Sequence, residues 1–298
     1  MINPSEHAYD DDPNIGHPDV RTRLRDVSYF LLGNGHIQAA VQWAPSGEGT
    51  PLGLLLMDPD RLRKKREALT MDPIRGLDAT LVRVEVGGES HQARAGATRV
   101  AWTTRDGVPA VEAVWDWDGG EVVETFFCPD TRAPLLARVV RVRCASGDGP
   151  IRISTSAGGR TAAVEGKACA DLACFVYEIV PGTDRVEVRV ESRPVEDAAH
   201  DRWERASRFT FGDPLLDRFA RISQYQMAAA KSAAGRMDSS IWQYNREWVR
   251  DQAFVAIGFL MAGDDEGAAC VLDRLLREFI TPDGGAMDSS EVRGRDEA

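Results

Sequence analysis

The chain has few residues of the kinds that mark disulfide-stapled, metal-binding and nucleic-acid-binding proteins. Its five cysteines are scattered and odd in number, which argues against a disulfide framework and favours reduced thiols. Cys169 and Cys174 lack the C-x-x-C spacing and a nearby histidine, so we predict no zinc site, and no other metal or cofactor motif is evident. Lysine occurs at four positions among 298 residues, and the formal net charge is -11 with a pI near 5.0. Since phosphate contacts need clustered basic residues, a nucleic-acid partner is not expected.

Long hydrophobic runs are also missing. No run reaches the length that spans a membrane, and no apolar segment typical of a signal peptide precedes residue 27. The sequence therefore predicts a cytoplasmic protein with no membrane partner. With 43% hydrophobic and 28% charged residues, it has the composition of a globular chain long enough for two domains.

β-like segments separated by turn residues fill much of the chain up to residue 195. Asn34-Gly35 lies between two of them, 28–33 and 36–43, and predicts a tight hairpin because the pair accepts positive φ at low cost. From about residue 78 to residue 190 the segments have an apolar period of two and end at Gly-Gly, Asp-Gly or Pro-Asp pairs, and no helical pattern interrupts them. We predict an antiparallel β-sandwich over residues 26–195, with an extended N-terminal arm over residues 1–25.

The pattern becomes helical after a charged linker predicted at residues 196–212. Asp213-Pro214 offers an N-cap followed by proline at the first helical position, and the apolar spacing predicts a helix that continues to Gly235. Segment 252–262 is apolar nearly all round, which predicts a helix buried on every side. An amphipathic helix is then predicted over residues 264–280, with an apolar stripe of Val271, Leu272, Leu275, Leu276, Phe279 and Ile280.

Aromatic and charged residues collect just before segment 252–262. Trp242 and Tyr244 alternate with polar residues, and Trp248, Arg250 and Asp251 follow where the helix is expected to begin. Indole and phenol rings stack on the C–H faces of sugars, and an Arg beside an Asp offers donors and acceptors to neighbouring hydroxyls. These residues therefore predict a binding site for a neutral polyol.

A purely structural interpretation of these residues is also open. Asp251 would favour the helix macrodipole in the first turn, and Arg250 would pair locally with Glu247 or Asp251. The tryptophans would then belong to the core. Residue types alone do not decide between the two interpretations.

The pattern W-x-Y-x-x-x-W-x-R-D-x-A-F, from Trp242 to Phe254, resembles the first substrate-binding segment of glycoside hydrolase family 15. These are glucoamylase-like enzymes of the six-hairpin glycosidase superfamily. The resemblance implies an inverting hydrolase that acts on terminal α-linked glucose of oligosaccharides or related glucosides. It implies that Arg250 and Asp251 hold hydroxyls of that glucose, with Trp248 as a pocket wall. Trp242 and Tyr244 complete the predicted substrate-binding set.

The resemblance also implies a fold that residues 213–298 would fill only in part. The family's catalytic domain is an (α/α)6 toroid of twelve helices, whereas this region has room for three or four. The expected architecture is thus an N-terminal β-sandwich followed by the first helices of a toroid, apparently truncated. The family's general acid and base are Glu residues on later loops, and no residue here matches their motifs, so the catalytic residues stay unassigned.

Other functions remain open at this point. The chain could be a carbohydrate-binding or interaction module without turnover, or a phosphorolytic relative that uses phosphate as nucleophile. A third alternative is a structural β-sandwich protein whose helical tail oligomerises. The expected partner under the first interpretation is an oligosaccharide or glucoside.

Overall fold

The computed structural model describes residues 24–25, 28–47, 51–60, 80–105, 107–129, 132–144, 149–167, 172–180, 185–192, 210–237 and 247–287. The strands in these ranges are Leu24–Arg25 (β1), Ser28–Gly33 (β2), Gln38–Trp43 (β3), Ser46–Gly47 (β4), Leu52–Met57 (β5), Arg83–Val86 (β6), Glu89–Gln92 (β7), Thr98–Arg105 (β8), Val108–Trp117 (β9), Gly120–Phe127 (β10), Leu135–Cys144 (β11), Pro150–Ala157 (β12), Arg160–Lys167 (β13), Leu172–Ile179 (β14) and Val186–Glu191 (β15). The helices are Pro214–Ala230 (α1), Val249–Met261 (α2) and Asp265–Glu278 (α3).

The strands pair in antiparallel fashion and form four sheets. The largest has six strands in the order β15-β14-β11-β10-β9-β8, and a second has four in the order β13-β12-β6-β7. A three-stranded sheet, β2-β3-β5, and the pair β1-β4 complete the set. The prediction of an antiparallel β-rich region is therefore confirmed. The predicted arm and the predicted linker lie almost wholly outside the described residues.

One buried core joins three of the sheets. It contains Trp115, Phe126 and Phe175 from the six-stranded sheet, Ile153 from the four-stranded sheet and Leu54 from the three-stranded sheet. Since successive side chains of a strand point to opposite faces, alternate residues of each strand reach this core. The largest two sheets thus pack against each other through their apolar faces.

A charged network crosses this core. Arg138 of β11 donates through Nε to Glu124 Oε2 of β10 at 2.6 Å, and Trp115 Nε1 donates to Glu124 Oε1 at 2.6 Å. Arg138 Nη1 also donates to the Thr80 carbonyl at 2.5 Å and to Tyr177 Oη at 3.0 Å. Burial alone would lower the pKa of Arg138, but Glu124 and Tyr177 outweigh it and raise that pKa above its usual range. The ion pair is therefore fully formed inside the protein.

The hairpin predicted at Asn34-Gly35 is confirmed between β2 and β3. Asn34 Oδ1 accepts from the backbone N–H of His36 at 3.0 Å, while its Nδ2 donates to the Pro129 carbonyl at 2.9 Å. Gly35 has φ 88°, a conformation that L-residues with a side chain rarely adopt. The Asn side chain therefore ties this turn to the loop that follows β10.

The same hairpin contacts the carboxyl end of α1 and the turn that follows it. Gln38 Nε2 donates to the Ala230 carbonyl at 2.7 Å, and the Ala233 N–H donates to the Gly35 carbonyl at 2.7 Å. A Cβ at Gly33 would lie 2.6 Å from the Ala229 carbonyl oxygen, so only glycine allows the end of α1 to approach this closely. The carboxyl end of α1 is thus packed directly on the β2–β3 hairpin.

The start of α1 matches its prediction, whereas its end does not. Asp213 Oδ1 accepts from the N–H of Leu215 at 2.8 Å, as an N-cap does. The helix stops at Ala230, five residues before the predicted end at Gly235, because Lys231 pairs with Met237 across a tight turn. Gly235 has φ 80° inside that turn.

The prediction that segment 252–262 is buried on every side is wrong for the described structure. Ala256 and Phe259 are buried, but Phe254 is 67% exposed and Met261 is 65% exposed. Periodicity shows that a helix is apolar, but it does not show whether another element covers each face.

The apolar stripe predicted for α3 is buried in half of its residues. Val271, Leu275 and Phe279 are buried, and Leu272, Leu276 and Ile280 are exposed.

Helix α3 is followed by the same kind of turn as α1. Ile280 pairs with Ala286 after α3 as Lys231 pairs with Met237 after α1, and Gly284 repeats the positive φ of Gly235 with φ 86°. The described helices therefore contain a repeated unit, in which a helix runs into a bridged turn. Among the described residues, no helix is long and apolar enough to cross a membrane.

Candidate functional site

The predicted binding residues that can be placed lie at the start of α2. Trp248 occupies the N-cap position with φ -94° and ψ 118°, and its carbonyl accepts from the Gln252 N–H at 2.9 Å. Arg250 and Asp251 belong to the first turn. Trp242 and Tyr244 lie outside the described residues.

Arg250 and Asp251 form an exposed pair. The Arg250 Nε lies 3.1 Å from Asp251 Oδ1, and the two side chains are 78% and 42% exposed. This is the local pairing that the structural interpretation also allowed. Exposed pairs of this kind contribute about 0–1 kcal/mol to stability, so a ligand would displace the pair at little cost.

Helix geometry places the Arg250–Asp251 pair and Trp248 on different sides of α2. Arg250 is followed at helical spacing by Phe254, Ile257 and Met261, which are all exposed. Trp248, which is half-buried, precedes the buried Gln252 by four residues. The polar pair therefore adjoins an exposed apolar stripe, while the indole lies towards the helical core.

A buried carboxylate precedes this segment. Glu247 is 1% exposed and accepts two hydrogen bonds from the guanidinium of Arg274 on α3, from Nε to Oε1 at 2.6 Å and from Nη2 to Oε2 at 2.9 Å. Arg236 Nε, in the turn after α1, lies 3.7 Å from Glu247 Oε2. We call these three side chains the Glu247 cluster. The hydrogen bonds from Arg274 to Glu247 raise the pKa of Arg274 above its usual range, against the opposing effect of burial.

The Glu247 cluster also reaches the β region. Arg236 Nη1 donates to the Asp60 carbonyl in the segment after β5 at 3.4 Å. A Cβ on the neighbouring Gly235 would meet the Cys270 carbonyl oxygen of α3 at 2.3 Å, so this turn lies directly against α3. The start of α2 is therefore connected to α3, to the turn after α1 and, through Arg236, to the segment that follows β5.

Gln252 is the other buried polar residue at this end of α2. It is 2% exposed, and within the part of the chain that the structure describes neither its amide nitrogen nor its amide oxygen has a hydrogen-bond partner. Leaving such a group unsatisfied costs about 1–3 kcal/mol.

The Glu247 cluster and Gln252 were not predicted to be functional residues. Glu247 was considered only as a local partner of Arg250, whereas the structure pairs it with Arg274 at a separation of 27 residues. No spacing rule signals such a pair. Its one sequence signal is a charged residue that directly precedes an aromatic N-cap.

The described ranges contain no group of three or more His, Cys, Asp or Glu side chains that could hold a metal ion. The Arg250–Asp251 pair carries no net charge and adjoins the exposed side chain of Phe254, so it offers a hydrogen-bonding surface beside apolar side chains.

Comparisons with protein-family models, curated proteins and solved structures found no match to the chain.

Proposed function

We propose that the start of α2 binds the terminal glucose unit of an α-linked oligosaccharide or related glucoside. The observation that carries the proposal is the exposed Arg250–Asp251 pair, with its atoms 3.1 Å apart, at the end of an exposed apolar stripe. A guanidinium supplies fixed donors and a carboxylate supplies acceptors, so together they match neighbouring sugar hydroxyls without adding net charge.

The apolar stripe supports the same proposal. Sugars present C–H faces as well as hydroxyls, and Phe254 lies one helical turn beyond Arg250 with most of its side chain in solvent. Trp248, the half-buried N-cap residue of α2, lies on the side towards the helical core and would form the inner wall of such a pocket.

We further propose that this site serves a glucoamylase-like glycoside hydrolase that acts with inversion in the cytoplasm. Inverting hydrolysis needs a carboxylic acid and a second carboxylate about 6.5–9.5 Å apart, and we assign neither role to a residue of this chain. The repeated helix-and-turn units of α1 and α3 support the proposal that the helices are the beginning of an (α/α)6 toroid.

Titration of the chain with maltose, followed by tryptophan fluorescence and by glucose release, tests the proposal. Asp251→Ala should weaken maltose binding by at least about tenfold, since a hydrogen bond to a charged group contributes about 1.5–3 kcal/mol. Asp265→Ala removes an exposed carboxylate from the first turn of α3 and is the matched control. Equal affinities for these two variants would contradict the assignment. Turnover that requires phosphate would identify a phosphorolytic relative.

An interaction module without turnover is the second candidate. The exposed side chains of Phe254, Ile257 and Met261 on α2, with Leu276 on α3, favour it, because contiguous exposed apolar surface often marks a contact with another element or protein. Saturable maltose binding without glucose release would indicate a binding module. Concentration-dependent association without maltose binding would indicate a protein-contact surface.

A further inference from the structure

Glu247 combines deep burial with full charge compensation. Removing a carboxylate from water costs several kcal/mol unless other groups replace its hydration. Here the Arg274 guanidinium supplies two hydrogen bonds, at 2.6 and 2.9 Å, and Arg236 supplies a second positive charge. The Glu247 side chain is therefore tied to α3 and to the turn after α1.

The two residues proposed to hold the sugar have a different environment from Glu247. Arg250 and Asp251 pair with each other, and both side chains are exposed. The orientation of these residues therefore depends on the backbone of the first turn of α2. That turn follows directly from Glu247, whose partners come from α3 and from the turn after α1.

We propose that Glu247 is a positioning residue, which holds the first turn of α2 through Arg274 and Arg236 so that Arg250 and Asp251 meet the glucose unit together. The proposal rests on the proposed function for its ligand, but the fixing of the backbone can be measured without a ligand. Glu247 itself does not contact the sugar.

The test uses Glu247→Gln in the full chain, with Glu266→Gln, an exposed first-turn residue of α3, as the matched control. Amide hydrogen exchange is measured at Gln252, whose N–H makes the first hydrogen bond of α2, and at Val140 in the β core. Glu247→Gln should accelerate exchange at Gln252 by about tenfold or more and leave Val140 unchanged, since local opening is separable from global unfolding. A general loss of stability would instead accelerate both amides by the same factor.

Maltose affinity is measured on the same variants. Glu247→Gln should weaken binding by about tenfold, which corresponds to about 1.4 kcal/mol, and Glu266→Gln should have no effect. Arg274→Lys keeps the charge but loses the paired hydrogen bonds, and it should change both readouts in the same direction by a smaller factor. It also replaces Glu247→Gln if that variant does not fold.

Each outcome decides one of the two proposals. Unchanged exchange at Gln252 overturns the positioning role, whatever the sugar result. Faster exchange at Gln252 in a protein whose parent binds no maltose upholds the positioning role and refutes the proposed ligand. If the parent does bind maltose, faster exchange with unchanged maltose affinity shows that Arg250 and Asp251 do not need a fixed first turn, and it overturns the positioning role.

Discussion

Replacement of Arg138 by methionine should destabilise the protein more than any change of a surface charge. The substitution removes the partner of Glu124, which is buried between the sheets, and leaves Tyr177 and the Thr80 carbonyl without their donor from Arg138. Breaking a buried ion pair from one side costs about 3–5 kcal/mol, because the remaining charge stays in the interior without compensation. Typical total stabilities are about 5–15 kcal/mol, so this loss is a large fraction.

Equilibrium unfolding in urea, followed by tryptophan fluorescence, measures the effect. Arg143→Met on the same strand is the control, since Arg143 is exposed and its Nη1 lies 3.6 Å from Glu121, a pair expected to contribute less than about 1 kcal/mol. The double variant Arg138→Met/Glu124→Gln should recover most of the loss, because no buried charge then remains. If Arg138→Met and Arg143→Met lose the same free energy of unfolding, the network does not carry the stability attributed to it.

Three further predictions concern the helices and their turns. Gly235→Ala should destabilise the protein more than Gly284→Ala. Both glycines have positive φ, for which an alanine costs about 1–2 kcal/mol, but only a Cβ at residue 235 would also meet a carbonyl of α3. Equal losses of the free energy of unfolding in urea would contradict the close packing of that turn. Gln252→Met should raise the free energy of unfolding, since it removes an unsatisfied buried amide, and a loss of stability would show that the amide has a partner. Hydrogen bonding from Thr281, supported by backbone N–H groups, lowers the pKa of Asp283, so the carboxylate adds stability at pH values above its ordinary pKa, and this stability is lost as the pH falls through the lowered pKa. Thr281→Ala should raise the pKa of Asp283 in an NMR titration, and an unchanged pKa would rule out this cause.

The sequence predicted the strands that combine an apolar run with a turn signal. The hairpin at Asn34-Gly35 and strands such as Val108–Trp117 carry both signals, and these elements are present. Strands Glu89–Gln92 and Arg160–Lys167 contain few large apolar residues, and they are the two edges of the four-stranded sheet. Edge strands contact one neighbour, so they need fewer large apolar residues and leave a weaker pattern.

Part of the candidate site could likewise be predicted from the sequence, and part could not. The position of Trp248, Arg250 and Asp251 at a helix start follows from the apolar segment that comes after them, and it is present. The pairing of Glu247 with Arg274 could not be predicted, because charged residues usually indicate a solvated face and the two lie on different elements. The burial of Arg138 in β11 could not be predicted for the same reason, since its partners Glu124 and Tyr177 come from other strands.

Helix α1 is buried at its carboxyl end, where Ala229 meets the hairpin, while Leu215, Leu216 and Phe219 near its amino end are exposed. Most of the stability of a helix in a protein comes from tertiary packing, and here that packing acts on the last turns. Local melting of α1 should therefore begin at Leu215 and progress towards Ala229. A protease would accordingly cut the first turns of α1 while the rest of the helix stays attached to the strands.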